Sequence, residues 1–153
     1  MAALIAAIGA TSAASKSDVA VPPADANIVI LRERSEPLLI KAEVEIDGMY
    51  RAKLGNKSYT ALRVESGMAF VRIHWPGEDR KGDLLVPVVL EDGKTFYFEL
   101  TGTVQARGNR VANLKLSHLQ DFVPLDPATA PERIAACCRY RAAEMISGSR
   151  PSD

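Results

Sequence analysis

The 153-residue chain is poor in cysteine and histidine: Cys137 and Cys138 stand side by side, and His74 and His118 are its only imidazoles. A disulfide framework of the kind that holds small secreted domains needs several separated cysteines, so this fold must rest on its core. A structural zinc centre needs about four nitrogen or sulfur ligands, and no ligand spacing here supports one. Vicinal cysteines seldom bridge one another, because the small ring departs from ordinary disulfide geometry. The expectation is two helical thiols, at least one facing the core, with partly exposed structural histidines. In an oxidising compartment an exposed thiol could instead pair between chains.

An excess of one charge is also missing. Nineteen Lys and Arg balance 19 Asp and Glu, which excludes the strongly basic stripe of a nucleic-acid binder. No apolar run approaches the roughly 18 residues that span a bilayer. Gly93, Gly102 and Gly108 are isolated turn glycines, and no glycine loop that could cradle a phosphate is present. Ser66-Gly67 lacks the strand-turn-helix setting of a nucleophile elbow. Glu78, Asp79 and Asp83 are mixed with Arg80 and Lys81, which describes a surface loop and a poor calcium cage. Glu43, Glu45, Glu65 and Glu99 fall at outward positions of strands, as on a solvated sheet face. No catalytic, cofactor-binding or metal-binding residue is therefore assigned.

Alternation is what the chain does have. Ala42 to Leu54 alternates apolar and polar residues on both sides of Asp47-Gly48. Pairing numbers that sum to 96 sets Ala42 opposite Leu54, Val44 opposite Ala52 and Ile46 opposite Tyr50 on one face. The other face then carries Glu43 opposite Lys53 and Glu45 opposite Arg51. A slip of one residue would carry the charges into the core. Ile28 to Leu31 is a continuous apolar run, expected at a sheet centre. Ser58–Val64 and Ala69–Trp75 pair as a further hairpin when numbers sum to 133. Leu84–Leu90 contains Pro87, which points to an edge strand. Glu91 to Lys94 reads as a hairpin loop before a strand at Thr95–Leu100. Gly102–Arg110 reads as a loop with some strand character, and Val111–His118 as a last strand. Turn signals every 8–12 residues describe a sandwich or barrel. The expected fold is all-β: an antiparallel sandwich of about 7–8 strands, transthyretin-like or Ig-like, with an added C-terminal helix.

The organisation follows from composition. Residues 1–14 read as a signal peptide, an uncharged apolar run closing on a small-x-small site at Ser12 and Ala14. The usual basic residue before that run is missing. Residues 15–26 read as a linker, 27–123 as the sandwich, 129–147 as a helix started by Pro131 and stopped by Gly148, and 148–153 as a tail. The helix carries Arg133, Arg139 and Arg141, diluted by Glu132 and Glu144.

The strand Ile28-Val29-Ile30-Leu31-Arg32-Glu33, then Val44 to Gly48, Leu54 to Tyr59 and Glu91 to Tyr97 follow in an order and spacing that resembles a bacterial domain-of-unknown-function family. Its members are small exported or lipoprotein-like proteins with a transthyretin-like or carboxypeptidase-regulatory-like sandwich. The resemblance covers residues 26–102, about half the chain. Three positions depart from the family pattern: a glycine near Ala52, a Pro-Gly-x-His at residues 65–68, and a lipid-attachment cysteine, absent here. The resemblance implies a fold and an envelope location, and it implies no activity.

The functional expectation is a non-catalytic exported sandwich, periplasmic or extracellular, serving as an accessory or interaction module for an unknown protein partner. Its candidate interaction face is Tyr59, Phe70 and His74. The alternatives are a small-ligand carrier or enzyme with a pocket at one sandwich end, and a cytoplasmic protein whose N-terminal run is an ordinary segment.

Overall fold

The computed structural model describes residues 22–77, 82–107 and 115–146, and the side chains of 104–107 and 115–119 are not described. The expected first strand is β1, Ile28–Arg32, and all five of its residues are buried. Its run is apolar on both faces because both are covered. Ile28 and Ile30 point into the main core, while Val29 and Leu31 lie in a second cluster with Ala61 and Ile134.

The remaining elements are β2 (Ala42–Ile46), β3 (Tyr50–Leu54), β4 (Ser58–Leu62), β5 (Gly67–His74), β6 (Leu84–Leu90), β7 (Phe96–Arg107), β8 (Lys115–Leu125), helix α1 (Ala130–Cys137), β9 (Arg139–Tyr140) and β10 (Glu144–Met145). They form two five-stranded sheets, ordered β8-β7-β1-β4-β9 and β10-β3-β2-β5-β6. The fold is thus an all-β sandwich with one short C-terminal helix. The β1–β7 and β4–β9 pairs are parallel, so the first sheet is mixed.

The hairpin at Asp47-Gly48 has the expected register, from Ala42 opposite Leu54 to Ile46 opposite Tyr50. Both turn residues take positive φ, 49° and 64°, as a mirror-image turn requires. Asp47 Oδ1 accepts the Phe70 N–H at 2.7 Å, which braces the turn on β5. Pro87 lies on an edge strand, since β6 closes the second sheet.

Two other expected hairpins do not form. Strands β4 and β5 belong to different sheets, and so do β6 and β7. Thr60, Leu62 and Val64 do point inward, as do Ala69, Val71 and Ile73. They meet across the core between the sheets, about 10 Å apart, and not side by side. Alternation identifies an inward face without distinguishing these two arrangements. Asn27 settles the crossing: its side chain donates to the Val64 carbonyl at 2.9 Å and accepts the Val64 N–H at 2.8 Å. Strand β7 runs on to Arg107 through the segment expected as a loop, paired to β8 along its length. The expected strand Val111–His118 is displaced, because β8 begins at Lys115 and continues to Leu125; residues 111–114 lie outside the described residues.

The C-terminal helix is shorter than expected. It ends at Cys137, and Cys138 is extended at φ −129°, ψ 146°. The cysteines form a Cys137–Cys138 disulfide, contrary to the expected free thiols. Beyond it the chain pairs with the sheets: the Arg139 N–H donates to Lys57 O and the Arg141 N–H to Tyr59 O. These sheet hydrogen bonds displace the helical ones that a period of 3.6 had suggested, and Met145 ends 74% exposed on β10.

The paired charges differ in environment. Glu43 and Lys53 meet at 3.2 Å with the lysine mostly exposed. Glu45 meets Arg51 at 2.9 Å and Arg72 at 3.8 Å with only 7% of its side chain exposed. Glu45 is thus a buried carboxylate, not the solvated one expected, because an arginine covers it from each neighbouring strand. Double-mutant cycles by urea unfolding are expected to give a coupling below about 1 kcal/mol for Glu43–Lys53. Glu45–Arg51 is expected to give about 1–3 kcal/mol, and equal couplings would contradict this burial argument.

Candidate interaction surface

The three residues expected to share an interaction face are divided between the sheets. Tyr59 lies on β4, packed in the second cluster with its ring 5.5 Å from that of Tyr140. Phe70 and His74 lie on β5, in the opposite sheet. The separation follows from the β4–β5 crossing.

His74 is buried and not partly exposed, with Nδ1 2.6 Å from Asp83 Oδ1. It serves to hold the start of β6 against the end of β5. Ser66 donates to Asp92 Oδ1. Ser66 and His74 thus stand at opposite ends of β5, too far apart to act as nucleophile and base. Among the described residues no three His, Cys, Asp or Glu side chains are grouped to hold a metal ion. His118 has no described side chain.

Phe70 is 44% exposed and has apolar neighbours that the expectation did not include. In the β5–β6 register Met68 faces Val89, Phe70 faces Pro87 and Arg72 faces Leu85. Met68, Leu85 and Val89 are each more than half exposed. The signal was legible in Leu84–Leu90, where the outward positions Leu85, Pro87 and Val89 are as apolar as the inward Val86, Val88 and Leu90. Phe70, Leu85, Arg72, Glu45 and the Asp47-Gly48 turn line a groove of about 470 Å³ on this face. An apolar floor of Phe70 and Leu85 thus adjoins a charged wall formed by Glu45 and Arg72.

The other sheet carries a second, more apolar groove of about 360 Å³, where Pro22, Pro23, Tyr59, Tyr97, Ile134 and Cys138 contribute. It lies beside α1 and not at a sandwich end. Tyr140 packs on Tyr59 behind it, and burial, followed by the neighbouring Tyr59, pushes the Tyr140 phenol above its ordinary value. Arg133 joins Glu33 and Glu99 at 2.6 and 2.8 Å. The hydrogen bond to Glu33 is the main cause that raises its pKa. Glu99 is consequently shielded, again unlike the expected solvated carboxylate.

No protein-family model, curated protein or solved structure matches this chain. Among the described residues no helix is long and apolar enough to cross a membrane.

Met68 and Val89 are 66% and 62% exposed, so little of either side chain is covered by the rest of the chain. Met68→Ser and Val89→Ser are therefore each expected to change unfolding free energy by no more than about 0.5 kcal/mol. A urea midpoint lowered by several times that amount would place these side chains in the core.

Proposed function

We propose that the chain is a non-catalytic sandwich of the bacterial cell envelope that binds a protein partner through the outer face of β5 and β6. The observation that carries this reading is the row of Met68, Phe70, Leu85 and Val89, exposed on adjacent strands at an open sheet edge. Contiguous exposed apolar side chains with a polar border are characteristic of interaction sites. Pro87 lies in the middle of the edge strand and offers no N–H, which blunts continuous strand addition. The partner accordingly contacts the side-chain face, with Phe70 as anchor and Glu45 and Arg72 fixing its orientation. The envelope assignment rests on the apolar N-terminal run ending at Ser12-x-Ala14 and on the family resemblance over residues 26–102.

A second reading is favoured by the groove under α1. Its apolar lining by Tyr59, Tyr97 and Ile134 suits a small hydrophobic ligand, which would make the protein a carrier.

Affinity purification of the full chain from its own host tests the first reading. The wild type is expected to retain a partner that the Phe70→Ser/Leu85→Ser variant loses while keeping its fold. An unchanged partner set would refute the assignment of this face, and loss only with Tyr59→Ala would favour the second groove. Fractionation with the mass of the mature N-terminus tests location: a chain beginning at Ser15 outside the cytoplasm is expected, and an uncleaved cytosolic chain would overturn export.

A further inference from the structure

The crossing from β1 to β2 carries three consecutive aliphatic residues into solvent. Leu38 is 49% exposed, Leu39 97% and Ile40 38%. Four carbonyls of this crossing are held from its inner side. Arg32 donates to the carbonyls of Ser35, Pro37 and Ile40 at 3.1, 2.6 and 2.7 Å. Asn56 donates to the carbonyls of Ser35 and Leu38 at 3.2 and 3.3 Å, and its Oδ1 accepts the Ser35 N–H at 2.8 Å. The Glu36 N–H donates to Gly102 O at 2.9 Å, and Pro37 has no N–H to satisfy.

A turn pinned in this way is unlike an ordinary surface loop. Hydrocarbon offers no hydrogen-bond partners, so each backbone carbonyl satisfied within the protein lowers the cost of approaching it. Here the carbonyls of Ser35, Pro37, Leu38 and Ile40 are held by Arg32 and Asn56 while the aliphatic side chains face out. The flanking residues are mainly basic. Arg34 and Lys41 adjoin the turn and are exposed, Arg34 beside a groove that it shares with Asp121. Lys57, also exposed, is brought to its base by the Lys57 N–H bond to Glu33 O. Glu33 is paired with Arg133, and Glu36 offsets one of the three cations.

We propose that residues 36–41 form a docking spur for an anionic lipid surface, separate from the protein-binding face on β5 and β6. Leu38, Leu39 and Ile40 enter the boundary between headgroups and acyl chains, and Arg34, Lys41 and Lys57 meet the phosphates. A protein partner fits less well, because protein interfaces favour aromatic anchors and directional hydrogen bonds, and the spur offers neither. The spur stands at the end where β2 begins, and Phe70 is tied to Asp47 at the far end of β2. A lipid surface and a protein partner can therefore be held together.

Co-sedimentation of the full chain with vesicles of phosphatidylcholine, with and without phosphatidylglycerol, tests the proposal. The wild type is expected to bind the phosphatidylglycerol vesicles and to be released by salt. Leu39→Ser, at a side chain that packs on almost nothing, is expected to fold normally and to lower partitioning about tenfold. Lys41→Glu is expected to lower binding to the anionic vesicles only, and Phe70→Ser to leave binding unchanged. Wild type that stays in the supernatant would overturn the proposal, as would equal partitioning of Leu39→Ser. Self-association in solution that depends on Leu39, without vesicle binding, would reassign the spur to a contact between copies.

Discussion

The end of the sandwich is closed by a single buried cation. Arg32 is the last residue of the central strand β1 and is wholly inaccessible to solvent. Its guanidinium donates five hydrogen bonds: Nε to Ser35 Oγ, and the two terminal nitrogens to the carbonyls of Ser35, Pro37, Ile40 and Leu54. It also lies over the ring of Trp75, 4.7 Å from the centroid. The strand belongs to one sheet, while Leu54 and Trp75 come from the chain of the other. A charge withdrawn from water costs several kcal/mol unless every donor is satisfied, and a planar fork with five N–H groups suits this set of acceptors. Burial lowers the Arg32 pKa to about 10. The group therefore remains a cation at neutral pH, and the clamp persists throughout the physiological range.

Both proposed surfaces depend on that closure. The spur keeps its shape because Arg32 and Asn56 hold its carbonyls. The face of β5 and β6 keeps its place because Trp75, at the end of β5, is packed beneath the same guanidinium. A rigid element that displays apolar groups loses little entropy on binding, whether to lipid or to protein. Beside Phe70, Glu45 is already committed to Arg51 and Arg72, so its charge is held in a fixed place.

Local pattern was legible in the sequence where it involved strands adjacent in both chain and sheet. The hairpin around Asp47-Gly48 could be written residue by residue, because charge pairing and hydrophobic pairing agreed on one register. The central place of β1 and the edge place of β6 followed from an apolar run and a proline. The pairing of Leu62 with Val71 failed because the inward faces of opposite sheets carry the same alternation as neighbouring strands. The helix was drawn too long for a related reason. Residues 139–145 have helical period, yet their backbone completes two sheets. Arg32 carried no local signal at all: an arginine ending an apolar strand reads as a surface residue until its acceptors, up to 22 positions away, are known. The apolar row beside Phe70 was not legible as a surface, since setting Phe70 next to Met68, Leu85 and Val89 required the β5–β6 register.

Urea unfolding of Arg32→Lys addresses the clamp most directly, because lysine keeps the charge and loses the fork. If the bonds of the guanidinium to both sheets close the sandwich, the variant loses about 2–4 kcal/mol of unfolding free energy. A midpoint within error of the wild type would mean that charge or bulk alone suffices, and the account of the fold built on Arg32 would be wrong.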